Sequence, residues 1–206
     1  MERGEKFNTY THLAGALLAL AGSVVLIVMG ALSGDVWKIV SFSIYGATLV
    51  LLYSFSTLYH NAVRGRGKLI LQKFDHNSIY LLIAGSYTPF TLVSLRGPWG
   101  WSLLGVVWGL ALLGIMQEIW LPRKTRKMSL LIYVLMGWIA IIALIPLVNV
   151  LSWAGFAWVA AGGLAYTIGI IFYLNDEKFT HWHGIWHLFV IAGSTLHYFA
   201  ILRYVA

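Results

Sequence analysis

The sequence predicts an all-α integral membrane protein: a seven-transmembrane helix bundle with a cytoplasmic N-terminus and an outside C-terminus. Three observations predict it. Of 206 residues, 60% are hydrophobic and only 10% charged, against about 25% charged in a soluble domain, so the chain cannot cover a water-facing surface. Seven apolar runs of roughly 18–24 residues succeed one another, each long enough to cross the hydrocarbon as a helix. The basic residues gather in alternate connections between those runs.

The first run covers about Tyr10 to Leu32 and ends at the turn signal Ser33-Gly34-Asp35. The second covers about Trp37 to His60. The third begins near Asp75 and ends near Leu95, with Pro89 inside it as a kink. The fourth spans about Trp99 to Leu121 and carries a Gly105–Gly109 pair, the spacing of a close helix contact. The fifth, sixth and seventh cover about Met128 to Val150, Trp153 to Leu174 and His183 to Tyr204. Neither an internal repeat nor a low-complexity linker interrupts them, so residues 1–206 read as a single domain.

Charge sets the orientation. Arg3 and Lys6, then Arg64, Arg66, Lys68 and Lys73, then Arg123, Lys124, Arg126 and Lys127, then Lys178 fall on one side, eleven of the fourteen basic residues. Lys38, Arg96 and Arg203 fall on the other. The positive-inside rule makes the first side cytoplasmic. The net charge of +7 therefore reads as orientation in a cell membrane with anionic lipid, and nucleic acid is not an expected partner. The chain has no cysteine, which excludes disulfides and thiolate ligands, so any metal must be held by nitrogen and oxygen. No signal-peptide cleavage site stands out after the first run.

The stretch FTHWHGIWH, Phe179 to His187, places His183 and His187 four residues apart, on one helix face one turn apart. Such a pair offers two nitrogen ligands to one ion. The predicted topology brings His60, at the cytoplasmic end of the second run, to the same level. Asp75 opens the third run there, and Ser56 lies one turn before His60. Three neutral imidazoles leave tetrahedral Zn²⁺ one open position for water, whose pKa the metal lowers to about 7. Asp75 is placed to orient that water or take its proton, and the Ser56 hydroxyl to steady an oxyanion.

Blander roles exist for each residue. Asp75 suits the first turn of a helix as a cap, and Ser56 can bond its own backbone four residues back. His76 points about 100° away from Asp75, toward the loop. His12 and His181 lie at the same interface as weaker ligand candidates. Asp176 and Glu177 read as a solvated turn, and Glu118 as an interfacial acid within reach of Arg123 or Lys124. The ten Trp residues read mostly as belt or packing residues. His197 lies about 21 Å along the helix from His183, haem-like spacing, but no other helix supplies a matching pair. Seven histidines are too few for a membrane di-iron cluster. His197 is instead expected to line an acyl-chain cavity or to bond Ser194.

STLYH (Ser56 to His60), DHNSIYLLIAGSYTP (Asp75 to Pro89) and HGIWH (His183 to His187) resemble the three motifs of the hemolysin III / progestin and adipoQ receptor family. The resemblance covers essentially the whole chain. It implies zinc on His60, His183 and His187, with Asp75 reaching the metal through water and Ser56 adjacent. It also implies kinship with alkaline ceramidases, and hence a hydrolase acting on the amide bond of a membrane lipid. Bacterial members are linked to membrane lipid homeostasis or, by name, to haemolysis. The long cytoplasmic N-terminal extension of the animal receptors is missing, which argues against hormone reception. Two other functions stand beside the hydrolase: a non-enzymatic regulator with structural zinc, and a pore-forming haemolysin, which the nearly uniform apolarity of the helices disfavours.

Overall fold

The computed structural model describes residues 4–120 and 126–206, without the side chains of Arg126 and Lys127. Arg3 and the basic cluster at 123–127 thus lie outside the described side chains. The described residues form seven α-helices in order: α1 (Glu5–Ser33), α2 (Val36–Asn61), α3 (Arg66–Pro89), α4 (Pro98–Trp120), α5 (Arg126–Trp138), α6 (Leu144–Leu174) and α7 (Trp182–Tyr204). A π-helical turn, Phe90–Ser94, extends α3 past Pro89, and a 3₁₀ segment, Ile139–Ala143, joins α5 to α6. No strand occurs among the described residues. Five stretches among them are long and apolar enough to cross a membrane: Glu5–Ser33, Val36–Asn61, Pro98–Trp120, Met128–Leu174 and Trp182–Tyr204.

Local chemistry sets the helix ends. Gly34 adopts φ 68°, a left-handed conformation natural to glycine, and closes α1. Asp35 then caps α2, its carboxylate accepting from the Trp37 N–H at 2.8 Å. Inside α6, Ser152 leaves the helical region with φ 62° and ψ 168°. Its hydroxyl accepts from the Gly155 N–H at 3.5 Å, so the residue that breaks the helix also caps the helical stretch after the break. This break falls between the fifth and sixth apolar runs.

Helix α1 packs along α2 and also touches α7; α2 packs on α3, and α6 on α7. One buried cluster joins Leu26 of α1, Phe42, Tyr45, Leu52 and Tyr53 of α2, and Val190 and Ile201 of α7. A smaller one joins Tyr80 and Ala84 of α3 to Val107 and Ala111 of α4 and Met136 of α5. Leu17, Leu18, Val24, Ile142 and Ile145 are exposed, as lipid-facing side chains are.

Two expectations are corrected. Helix α3 starts at Arg66, nine residues before Asp75, so Asp75 does not open or cap it. Hydropathy marks only the more apolar part of this helix, because Arg66, Lys68, Gln72 and Lys73 interrupt its first turns. A Cβ built on Gly105 or Gly109 meets nothing within 4 Å, because α4 buries a different face, through Leu103, Val107, Ala111 and Gly114. The close approaches lie elsewhere. A Cβ on Gly46 would stand 2.6 Å from the Ser23 Cβ, and one on Gly85 2.9 Å from the Thr48 Cβ.

Gly46→Leu is therefore expected to destabilise the bundle by about 1–3 kcal/mol through overpacking of α1 on α2. Gly105→Leu should leave stability within about 0.5 kcal/mol. Thermal unfolding of both variants in one detergent checks the contrast.

Candidate metal centre

His60 ends α2, while His183 and His187 occupy the first two turns of α7. The structure brings the three together: one ring nitrogen from each lies within 4.8 Å of the others. The ring centroids are 4.9 Å apart for His60–His183, 5.0 Å for His60–His187 and 4.8 Å for His183–His187. His60 is 3% exposed and His187 0%. The Nε2 atom of each is buried without a hydrogen-bond partner.

The other nitrogens explain why. His60 Nδ1 lies 2.5 Å from Glu5 Oε2, and His183 Nδ1 lies 2.7 Å from Asp176 Oδ2. His187 Nδ1 lies 3.2 Å from the Asn8 carbonyl and 3.2 Å from Thr11 Oγ1. Carboxylates and carbonyls only accept, so each Nδ1 carries the proton and donates. Each Nε2 is left with a bare lone pair. Three such lone pairs facing one another repel unless a cation lies between them. A carboxylate or carbonyl behind each histidine is also how metal-binding imidazoles are oriented and made more basic. The group is thus suited to hold a metal ion.

Asp75 and Ser56 reach the same place. Ser56 is buried on α2 one turn before His60, and its hydroxyl faces the Asp75 carboxylate, which also lies within electrostatic range of His60 and His183. Asp75 further lines a cavity of about 130 Å³ with His12, Tyr133, Tyr166, Trp186 and His197. A second cavity of about 60 Å³ adjoins it and shares Ser86, Tyr87, Trp138 and His197.

Other sequence readings change. Asp176 is not a solvated turn residue; it supports His183. His76 faces into the bundle, with Nδ1 4.0 Å from Glu118 Oε2. Glu118 also accepts a hydrogen bond from the Ser129 hydroxyl, while its expected partners Arg123 and Lys124 lie outside the described residues. His181 is the exposed residue preceding α7, with φ 71°, and is not in the group. His197 does line the cavity, but its Nε2 donates to the Val159 carbonyl at 3.0 Å. Ser194 bonds Tyr53 and Tyr166 instead.

Apart from His12, named as a weaker ligand candidate, sequence reasoning missed the contribution of α1. Glu5, Asn8, Thr9 and His12 follow the i, i+3, i+4, i+7 spacing of one helix face, and the last three are buried. A polar stripe on an apolar helix was the signal. Charge bias had already assigned this end of the helix to the interface, where polar residues need no further explanation.

The profile of the family described as "Haemolysin-III related" matches residues 2–198. The chain is 44% identical to "Hemolysin-3" of Bacillus cereus, covering 96% of this chain and 90% of that one. It is 45% identical to the "Hemolysin-3 homolog" of Bacillus subtilis (strain 168), covering 96% and 92%. It is 30% identical to the human "Monocyte to macrophage differentiation factor", covering 96% and 82%. No solved structure matches.

Replacing Glu5 or Asp176 by Ala is expected to weaken metal binding about 10–100-fold each. Competition with a chromophoric chelator reads this directly. An affinity equal to wild type would mean that the paired acids do not orient their histidines.

Proposed function

The chain belongs to the haemolysin-III-related family, and on that premise we propose that this multi-pass cell-membrane protein is a zinc-dependent hydrolase cleaving an amide bond in a membrane lipid. The observation that carries the reading is the convergence of three buried, unpartnered Nε2 atoms beside a mostly apolar cavity. His60, His183 and His187 are the ligands. Zinc held by these three imidazoles would supply a water acidified to a pKa of about 7.

The chain's own groups do the rest. Asp75 orients the water and takes its proton. Addition of that water to the amide carbonyl carbon would break the C–N bond, and Asp75 would return the proton to the leaving amine. The single Ser56 O–H donates to the Asp75 carboxylate and holds it in place; once Asp75 carries the proton, that hydroxyl is released to donate to negative charge developing on the carbonyl oxygen. The cavity walls from Leu52, Ile79, Leu82 and Val190 receive the acyl chain and exclude water.

The reaction then takes place at the cytoplasmic leaflet. Helix α3 with its π-turn forms one span, and Met128–Leu174 forms two. As one straight rod, those 47 residues would run about 70 Å, more than twice the hydrocarbon thickness. The break at Ser152 supplies the reversal. Seven spans result, and Lys6, Arg64, Arg66, Lys68, Lys73 and Lys178 put the N-terminus inside.

One observation favours a second reading, a regulator with structural zinc. The three histidines and their supports come from α1, α2, α7 and the turn before α7, so one ion would tie these elements together. Asp75→Ala separates the two. Under the hydrolase reading it lowers turnover of a ceramide or an N-acylethanolamine at least about 100-fold, with zinc content by elemental analysis and the unfolding temperature near wild type. Zinc-loaded wild-type protein inert toward both lipids would favour the regulator.

A further inference from the structure

His12 lies in the same polar layer yet is not part of the metal group. Its ring is 2% exposed, and neither nitrogen has a hydrogen-bond partner. The ring approaches the His187 main chain without reaching hydrogen-bond geometry. It stacks on the His187 ring with centroids 3.5 Å apart and planes 11° apart, and the Tyr53 ring stands edge-on to it at 5.0 Å. Imidazole lone pairs lie in the ring plane, so two rings stacked in parallel cannot point at one ion. The stack excludes His12 as a fourth ligand of an ion held by His187. It also keeps the His12 edge one ring-thickness from that ligand's edge.

A neutral imidazole offers one donor and one acceptor, and burying both unmet is costly enough that native structures rarely do it. His12 lines the cavity of about 130 Å³ together with Asp75. Its unmet hydrogen-bonding capacity therefore borders the space that also holds the acid assigned to the reaction. Leu52, Ile79 and Val190 line the same cavity, which suits a hydrocarbon chain. The space is thus mostly apolar, with His12 and Asp75 among its polar groups at the metal end.

We infer that His12 is a substrate-binding group that hydrogen-bonds the carbonyl or hydroxyl flanking the scissile bond of an acyl lipid seated in this cavity. The choice of ligand rests on the hydrolase reading above; the contact itself rests on burial, stacking and the cavity wall. His12 selects chains that end in a hydrogen-bonding function over plain hydrocarbon, and it holds that function beside the metal nitrogens.

The test uses the full-length, metal-loaded protein in detergent micelles and dodecanohydroxamic acid as the probe, an acyl chain ending in a hydrogen-bonding, metal-binding group. His12→Phe keeps a flat ring against His187 and Tyr53 and removes both nitrogens. It should weaken probe binding about tenfold or more and leave metal stoichiometry and the Co²⁺ absorption spectrum as in wild type. His12→Gln, which restores a donor and an acceptor, should recover part of the loss. Equal affinity in wild type and His12→Phe overturns the inference, as does a wild type that does not bind the probe. Loss of metal or a changed Co²⁺ spectrum in both variants also overturns it and makes His12 a support for His187. If the wild type binds the probe in a His12-dependent way but turns over no lipid amide, the binding role stands and the hydrolase reading falls.

Discussion

Everything at the end of the bundle that carries the histidine group depends on one electrostatic constraint. Three imidazole nitrogens with bare lone pairs face one another inside an apolar medium. Helical packing alone would not hold that arrangement, since each ring would gain by turning toward a donor. It persists because the opposite edge of every ring is fixed: His60 by Glu5, His183 by Asp176, His187 by Asn8 and Thr11. The orphaned side leaves three converging acceptors that could hold a metal ion.

The same constraint shows what the sequence could reveal. Apolar run length marked most helices to within a few residues, because lipid demands long unbroken apolar segments. The spacing of His183 and His187 marked the α7 part of the metal group, because four residues on a helix is a fixed geometric statement. Positive-inside counting then brought His60 to their level. Asp75 was given the wrong local structure, since Arg66, Lys68, Gln72 and Lys73 lower the hydropathy of the first turns of α3 below that of a spanning run. The Gly105–Gly109 spacing misled because a pattern of small residues says nothing about which face meets a neighbour.

Glu5 and Asp176 were illegible for a deeper reason. Each is an acid near a helix end at the membrane surface, where solvation is the default for any carboxylate. Only the tertiary packing of α1 against α2 converts Glu5 into a partner for His60. Lys68 also reaches Glu5, at 3.4 Å, so this carboxylate stands between a cation and an imidazole. Deeper in the bundle, a comparable division of labour holds α2, α6 and α7 together: the Ser194 hydroxyl lies 2.7 Å from the Tyr53 hydroxyl and 2.8 Å from that of Tyr166. The cavity runs from Asp75 and His12 near the histidine group past Tyr166 to His197.

The contact between Thr11 and His187 joins positions 176 apart, and this has a consequence for biosynthesis. Helices enter a membrane one after another as the ribosome delivers them, so Glu5 meets His60 early, while the part of α1 that faces α7 waits through most of translation. Until α7 arrives, Asn8 and Thr11 lack the ring they are meant to hold, and His60 lacks both companions. Arrival of α7 and closure of the histidine group are therefore one event. A nascent protein stalled before α7 would present buried polar groups to lipid, a signature that quality-control machinery can distinguish from the finished fold.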